Sequence, residues 1–320
     1  MLIAGPNLTI DRTLTIDELR PGDVLRFDTV AVTPGGKGVN VARVARAFGA
    51  PALLVGFVPG RTGAAAAQLL ADEAVELRAV PCHGEVRSTA VVLERSGRVT
   101  VMNEPGPSID EQDWGRYEAA VAAELEAHRV LVCSGSLPPG APDDAYGRLA
   151  ALATGAGAAA LVDAGGQVLA AALKSAPHVV LPNLAEAEGL LHGRLDETVD
   201  AGDPGEVRTR AAAAAAELVN RGAVAAVVTA GAAGAAVADE ASVMWHAAPR
   251  VTVRNPVGAG DSLAGGLAVA LERGEPFASA VGAGLGAAAA SVETDKAGEL
   301  DPARAAELAA GAAPPEPNGV

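Results

Sequence analysis

Short apolar runs, each passing through a turn into an Ala-rich helical stretch, recur along this chain of 320 residues. This rhythm limits the fold more tightly than any other feature, because a strand that feeds a helix and then another strand builds parallel βαβ units. Strands are expected at 52–57, 129–133, 158–163, 178–181 and 225–229. Helices are expected at 38–48, 64–72, 110–127, 143–154, 209–220 and 261–273. Aromatic residues make up only 2% of the chain against 50% hydrophobic. The core must therefore be built from Ala, Val and Leu, which suits helices packed closely on a buried sheet. In open α/β sheets ligands sit beyond the carboxyl ends of the strands, so functional residues are sought where these runs turn into helices.

Two segments break the rhythm. Residues 9–32 and 86–102 read as alternating strands with turns at Pro21-Gly22 and Ser96-Gly97, and are expected to form a small second sheet, a lid or an edge meander. The main body is expected to span residues 1–310, with 311–320 a frayed tail. The amino terminus has no basic region followed by an export-type apolar stretch. No run approaches the ~18 apolar residues needed to span a bilayer. The chain is accordingly read as cytoplasmic. Its net charge of −15, from 39 acidic and 24 basic residues, excludes a basic footprint for nucleic acid or an anionic membrane. Each Lys or Arg beside a Gly-rich turn is thus a candidate for holding an anionic ligand. Cys82 and Cys133 are far apart and read as reduced thiols, and the scattered histidines carry no metal site. The run Gly282-Ala283-Gly284-Leu285-Gly286 is set aside as part of a helical pattern, since a lone Gly-rich match is weak.

Four segments can carry chemistry. In Asn255-Pro256-Val257-Gly258-Ala259-Gly260-Asp261-Ser262, a tight turn opens a helix whose first amides form an anion hole. From that turn the carboxylate of Asp261 can take a proton from an attacking hydroxyl, or it can simply cap the helix. In Gly35-Gly36-Lys37-Gly38-Val39-Asn40-Val41-Ala42-Arg43, glycines permit close approach of backbone to ligand and Lys37 supplies a cation. This is no Walker A loop, because Ala31 and Gly38 stand where that pattern needs Gly and Ser or Thr. Ser134-Gly135-Ser136-Leu137-Pro138-Pro139-Gly140 places small hydroxyl residues at a strand end. In Pro182-Asn183-Leu184-Ala185-Glu186, Asn183 and Glu186 share a helix face. They can hold a hydrated Mg²⁺ or form a capping box.

In this order and with this content, the four segments resemble the ribokinase-like (PfkB) carbohydrate kinases. The likeness is greatest to the branch of 1-phosphofructokinase, tagatose-6-phosphate kinase and the minor 6-phosphofructokinase. Asn103-Glu104-Pro105-Gly106-Pro107 fits that branch as well. The resemblance implies a three-layer α/β/α sandwich with a small β-sheet lid. It also implies transfer of phosphate from ATP, with Mg²⁺, to a hydroxyl of fructose 1-phosphate, fructose 6-phosphate or tagatose 6-phosphate. Asp261 would be the catalytic base, and Gly258, Ala259 and Gly260 the anion hole. Asp11 would hold sugar hydroxyls, while Gly35, Gly36, Lys37, Asn40, Arg87 and Ser136 would contact the sugar phosphate. Asn183 would organise the nucleotide phosphates, Glu186 would hold Mg²⁺ through water, and Thr229, Gly231 and Gly234 would lie along the nucleotide. A homodimer through the lid is implied too. The sequence departs from the branch at Leu181, where Lys is usual. Two other readings stay open: a kinase for an unphosphorylated sugar or nucleoside, and a non-catalytic sugar- or nucleotide-sensing protein on the same scaffold.

Overall fold

A computed structural model describes residues 1–193 and 203–318. The strands, in chain order, are β1 (Leu2–Ala4), β2 (Thr9–Ile16), β3 (Thr29–Gly35), β4 (Leu53–Phe57), β5 (Glu76–Val80), β6 (Arg87–Glu94) and β7 (Val99–Asn103). They continue with β8 (Val130–Ser134), β9 (Ala159–Asp163), β10 (Val179–Val180), β11 (Ala225–Thr229), β12 (Gly234–Asp239), β13 (Val243–Ala247) and β14 (Glu316–Pro317). The helices are α1 (Lys37–Ala47), α2 (Gly60–Asp72), α3 (Glu111–Leu125), α4 (Ala145–Gly155) and α5 (Gly166–Leu173). After them come α6 (Leu184–His192), α7 (Pro204–Asn220), α8 (Ala259–Glu272), α9 (Phe277–Ser291) and α10 (Pro302–Ala310). Each expected strand and helix has a counterpart, with ends moved by a few residues.

A ten-stranded sheet runs in the order β14-β13-β12-β11-β10-β9-β8-β1-β4-β5. From β5 to β11 every neighbouring pair is parallel, and β12, β13 and β14 add antiparallel to that edge. Side chains of a strand alternate between faces, and here the alternation separates two cores. Leu2 and Ala4 of β1, with Leu131 and Cys133 of β8, pack under α3 to α7. Ile3, Val130 and Val132 pack on the other face under α1, α8 and α9. Helices thus cover both faces, which is why the strands are unbroken Val, Leu and Ala runs rather than alternating ones. The segment 282–286 lies inside α9, as expected. No helix among the described residues is long and apolar enough to cross a membrane.

The two odd segments form a separate four-stranded sheet, β3-β2-β6-β7. It is inserted twice into the main fold, between β1 and α1 and between β5 and α3. Its register puts Asp11 beside Thr89, and Thr89 beside Asn103, in one row across the sheet, with Thr9 and Arg87 two residues away on the same face. That face looks onto the carboxyl ends of the parallel strands.

Residues 311–318, expected to fray, are tied down instead. Glu316 and Pro317 pair with Trp245 and Met244 as β14. Arg208 is the reason: it donates to Asn318 Oδ1 at 2.7 Å, pairs with Glu316 and lies 5.9 Å over the Trp245 ring. Residues 319–320 of that tail lie outside the described residues.

Candidate active site

The mouth of α8 is shaped by Gly258, which holds a left-handed conformation (φ 82°) just before the helix. An L side chain is strained there, so the turn needs glycine. Gly258, Ala259 and Gly260 line a cavity of about 490 Å³ with Asp261 beside them. The first amides of a helix lack intrahelical acceptors and sit at its positive end, so this end of the cavity is suited to an anion, although Ala259 N also reaches the Pro256 carbonyl at 3.4 Å. Asp261 is 5% exposed and makes no capping hydrogen bond, which removes the cap reading. Its Oδ2 accepts from Asn40 Nδ2 at 2.7 Å. Burial pushes its carboxyl up to about 6; Lys37 opposes that rise, Asp163 adds to it, the Asn40 bond opposes it and Glu186 adds again. A carboxylate poised near neutrality suits a proton acceptor.

Asn40 is itself held from behind. Arg43, 2% exposed, donates to Asn40 Oδ1 at 2.9 Å, to the Pro34 carbonyl at 2.6 Å and to Glu73 Oε2 at 2.7 Å. Lys296 closes on the same Glu73 at 2.8 Å. Arg43 was visible in the sequence only as the end of a Gly-rich motif. Its locking role depends on α2 and the 294–299 loop folding against α1, which no local pattern announces.

Lys37 opens α1, and its Nζ lies 3.1 Å from Asp163 Oδ1 and 3.9 Å from Glu186 Oε1. Asp163 raises the ammonium pKa most; burial lowers it, and Asp261 and Glu186 add to the rise. Ser134 Oγ donates to Asp163 Oδ2 at 2.9 Å. Asp163 was not among the expected site residues, and Ser134 entered only as the first residue of the hydroxyl-bearing segment that supplied Ser136. Their signal was position: each is the last residue of a parallel strand, β9 and β8. Asn183 and Glu186 do form the capping box, with Glu186 N donating to Asn183 Oδ1 at 2.8 Å and Asn183 N to Glu186 Oε2 at 2.9 Å. That cap occupies Oε2, while Oε1 faces Lys37. Leu181 is buried in the core under α8.

The opposite wall comes from the small sheet. Asp11, Asn7, Arg87, Thr89 and Asn103 all line the cavity, as do Gly36, Lys37, Asn40, Ser136, Asn183 and Thr229. Asp11 Oδ1, Asn7 Oδ1 and Arg87 Nε are buried without a hydrogen-bond partner. Unpaired buried polar atoms are costly, and three of them around one cavity mark where a polar ligand would bond. Burial raises the Asp11 pKa against the pull of Thr9, Arg43, Arg87 and Thr89. Arg87 Nη1 donates to the Glu104 carbonyl at 3.1 Å, and Asn7 Nδ2 to Ser136 Oγ at 3.1 Å. Gly35 stands behind this wall: a Cβ there would fall 2.0 Å from Asp11 Oδ2, so its role is to leave room for that carboxylate.

A second cavity of about 450 Å³ is lined by Thr229, Gly231 and Gly234 and by apolar side chains such as Val251, Leu285 and Val292. It shares Thr229, Pro256, Ala259 and Gly260 with the first. The two therefore meet at the α8 mouth, one polar and one mainly apolar, with Asp261 on the polar side.

A family model described as pfkB family carbohydrate kinase matches residues 7–304. Phosphofructokinase-2 from Escherichia coli in complex with fructose-6-phosphate is 28% identical, covers 97% of this chain and 98% of its own, and superposes with a TM-score of 0.83. A possible 1-phosphofructokinase from Thermotoga maritima shares the fold at 21% identity, 99% coverage of each chain and a TM-score of 0.85. Arabidopsis thaliana ribokinase complexed with ribose and ATP shares it at 20% identity, with 96% of this chain and 98% of that chain covered and a TM-score of 0.74. With its motifs gathered at one helix mouth and the family model spanning most of its length, the chain belongs to the pfkB family of carbohydrate kinases and is an ATP-dependent sugar kinase.

Proposed function

We propose that this kinase transfers the γ-phosphoryl group of ATP to a hydroxyl of a ketohexose phosphate. The observation that carries the reading is the meeting of the two cavities at the amide-lined mouth of α8, with Asp261 on the polar side of that junction. The sugar phosphate would lie in the polar cavity and the nucleotide in the apolar one, along Thr229, Gly231 and Gly234. Asp261 would take the proton of the acceptor hydroxyl as its oxygen bonds to the γ-phosphorus. The bond from that phosphorus to the β-phosphate oxygen would break, and ADP would leave with the electron pair. Amides of Gly258, Ala259 and Gly260 would stabilise charge on the migrating group. Asp11 and Asn7 would orient sugar hydroxyls, and Arg87 and Ser136 would face the sugar's own phosphate.

The donor set fits Mg²⁺, a hard cation that prefers carboxylate oxygen and keeps several waters. Glu186 and Asp163 would hold it, with Asn183 ordering the nucleotide phosphates. When bound, the ion neutralises phosphate charge. ATP as donor suits a cytoplasmic enzyme.

Fructose 6-phosphate, the ligand of the Escherichia coli relative, belongs first in an ADP-release panel beside fructose 1-phosphate, tagatose 6-phosphate, unphosphorylated ketohexoses and nucleosides. Arg87→Ala is expected to raise KM for the preferred sugar phosphate by about 10- to 100-fold, the worth of one charge-assisted bond, with a smaller change in kcat. If the wild-type enzyme turned over neutral sugars as well as phosphorylated ones and Arg87→Ala changed neither KM, the acceptor would be an unphosphorylated sugar or a nucleoside. No ADP release with any acceptor would favour the sensing role.

The small sheet leaves apolar side chains exposed on both faces: Val30, Val32 and Met102 on one, Val99 and Val101 on the other. We take this sheet as the contact of a homodimer. Val32→Asp combined with Met102→Asp should shift the light-scattering mass to that of a monomer, and an unchanged mass would remove the lid from the interface.

A further inference from the structure

Lys37, expected to contact the sugar phosphate, lines the polar cavity, and its ammonium is paired with Asp163 and Glu186. Those are the carboxylates assigned above to the metal, and the inference rests on that reading. We propose that Lys37 is a resident counter-ion of the metal carboxylates, displaced when the divalent cation binds: the ion pairs of Lys37 with Asp163 and Glu186 and the occupancy of the metal site exclude each other.

Three observations lead there. The first is charge. One ammonium lies among Asp163, Glu186 and Asp261, all of which act on it electrostatically. A single cation leaves two of the three negative charges uncompensated, the deficit a divalent ion makes up. The second is crowding. A divalent cation on the oxygens of Asp163 and Glu186, directly or through one water, would lie within a few ångströms of Nζ, where like charges repel strongly in a partly buried site.

The third is which partner can move. Asp163 is nearly buried and its second oxygen is tied to Ser134 Oγ at 2.9 Å. Glu186 is held by the α6 capping box. Lys37, by contrast, is 39% exposed, lines the cavity and carries its charge on a flexible four-carbon stem. On exchange the lysine moves and the carboxylates stay. Its ammonium swings into the cavity, where the phosphoryl oxygens of donor and acceptor would be. The motion couples metal arrival to delivery of a cation to the phosphates.

The test measures Mn²⁺ binding to the nucleotide-free enzyme by electron paramagnetic resonance, with folding of each variant checked by thermal melting. Lys37→Met should bind Mn²⁺ about tenfold more tightly than wild type, the scale of one close charge pair in a partly solvated site. Lys37→Arg, which keeps the charge, should stay near wild type; loss of packing alone would not tighten a metal. Glu186→Gln keeps the capping box, because Gln serves at that position as Glu does, and should weaken binding. If Glu186→Gln weakens Mn²⁺ binding but Lys37→Met does not tighten it, the exchange is overturned and the metal site stands. If Glu186→Gln has no effect, or no variant binds Mn²⁺, the metal assignment fails and the inference falls with it.

Discussion

Asp261→Asn is expected to lower kcat by about 10²- to 10⁴-fold, the usual contribution of a positioned general base. Sugar-phosphate binding should survive, because Asn keeps the shape and can still accept from Asn40. Wild-type kcat/KM should fall tenfold per pH unit below an apparent pKa near 6, where the carboxylate takes up its proton. That acid limb should be missing from the residual activity of the variant. Near-normal kcat in Asp261→Asn would sink the assignment.

The same substitution should make the protein more stable. The carboxyl is raised from 3.8 to about 6 on folding. Between those values the folded chain holds a proton that the unfolded chain has released, so this group's contribution to stability falls as pH rises through the window. Above pH 6 the cost is fully present, on the order of 2–3 kcal/mol at 1.36 kcal/mol per unit. An amide carries no such cost. The stability gap between variant and wild type should therefore be widest above pH 6 and close below pH 4. A catalytic group held against its own preference is one of the standard places where function opposes stability.

Arg43→Met should lower the free energy of unfolding by about 3–5 kcal/mol, the range found when one member of a buried ion pair is removed. Arg43 bridges α1 to Glu73 at the end of α2, to the Pro34 carbonyl at the end of β3 and, at 3.4 Å, to the Ala297 carbonyl. Methionine fills much of the volume but leaves Pro34 O without its donor and Glu73 with Lys296 alone. Lysine would not repair the site, because a single ammonium cannot reproduce a planar fork that bonds in several directions. Asn40 would lose the bond that orients its amide toward Asp261, so kcat should fall as well. Urea titrations of wild type and variant measure the first effect and steady-state kinetics the second. A loss under about 1 kcal/mol would mean that the network is worth no more than a surface pair.

Much of this fold could be read in advance, because both of its main signals are periodic. The 52–57 and 129–133 runs are continuous and apolar since each is covered on two faces, and the α8 turn announces itself through three consecutive small residues and an Asp. The small sheet showed through its alternation. What stayed hidden was relational. Asp163 looks like any strand-ending residue until Lys37 is folded against it, and Leu2–Ala4 is too short a run to declare itself the strand between β8 and β4. Lys37, which does line the polar cavity, reads in the sequence as a free cation in a Gly-rich motif. The structure surrounds it with carboxylates drawn from three different elements. The 311–318 tail looked frayed because its Pro-rich composition is that of loose chain, whereas the group that fixes it, Arg208, lies about a hundred residues away.

That tail has a consequence for how copies of the chain can meet. An exposed strand edge is a template on which another chain can add by hydrogen bonding, the route to fibrils. The large sheet ends at β14 on one side, two residues long, one of them a proline that has no amide hydrogen to offer. At its other end β5 carries the exposed charges of Glu76 and Arg78. Both rims are poor templates, so runaway strand addition is discouraged at either end, and association is left to side-chain faces.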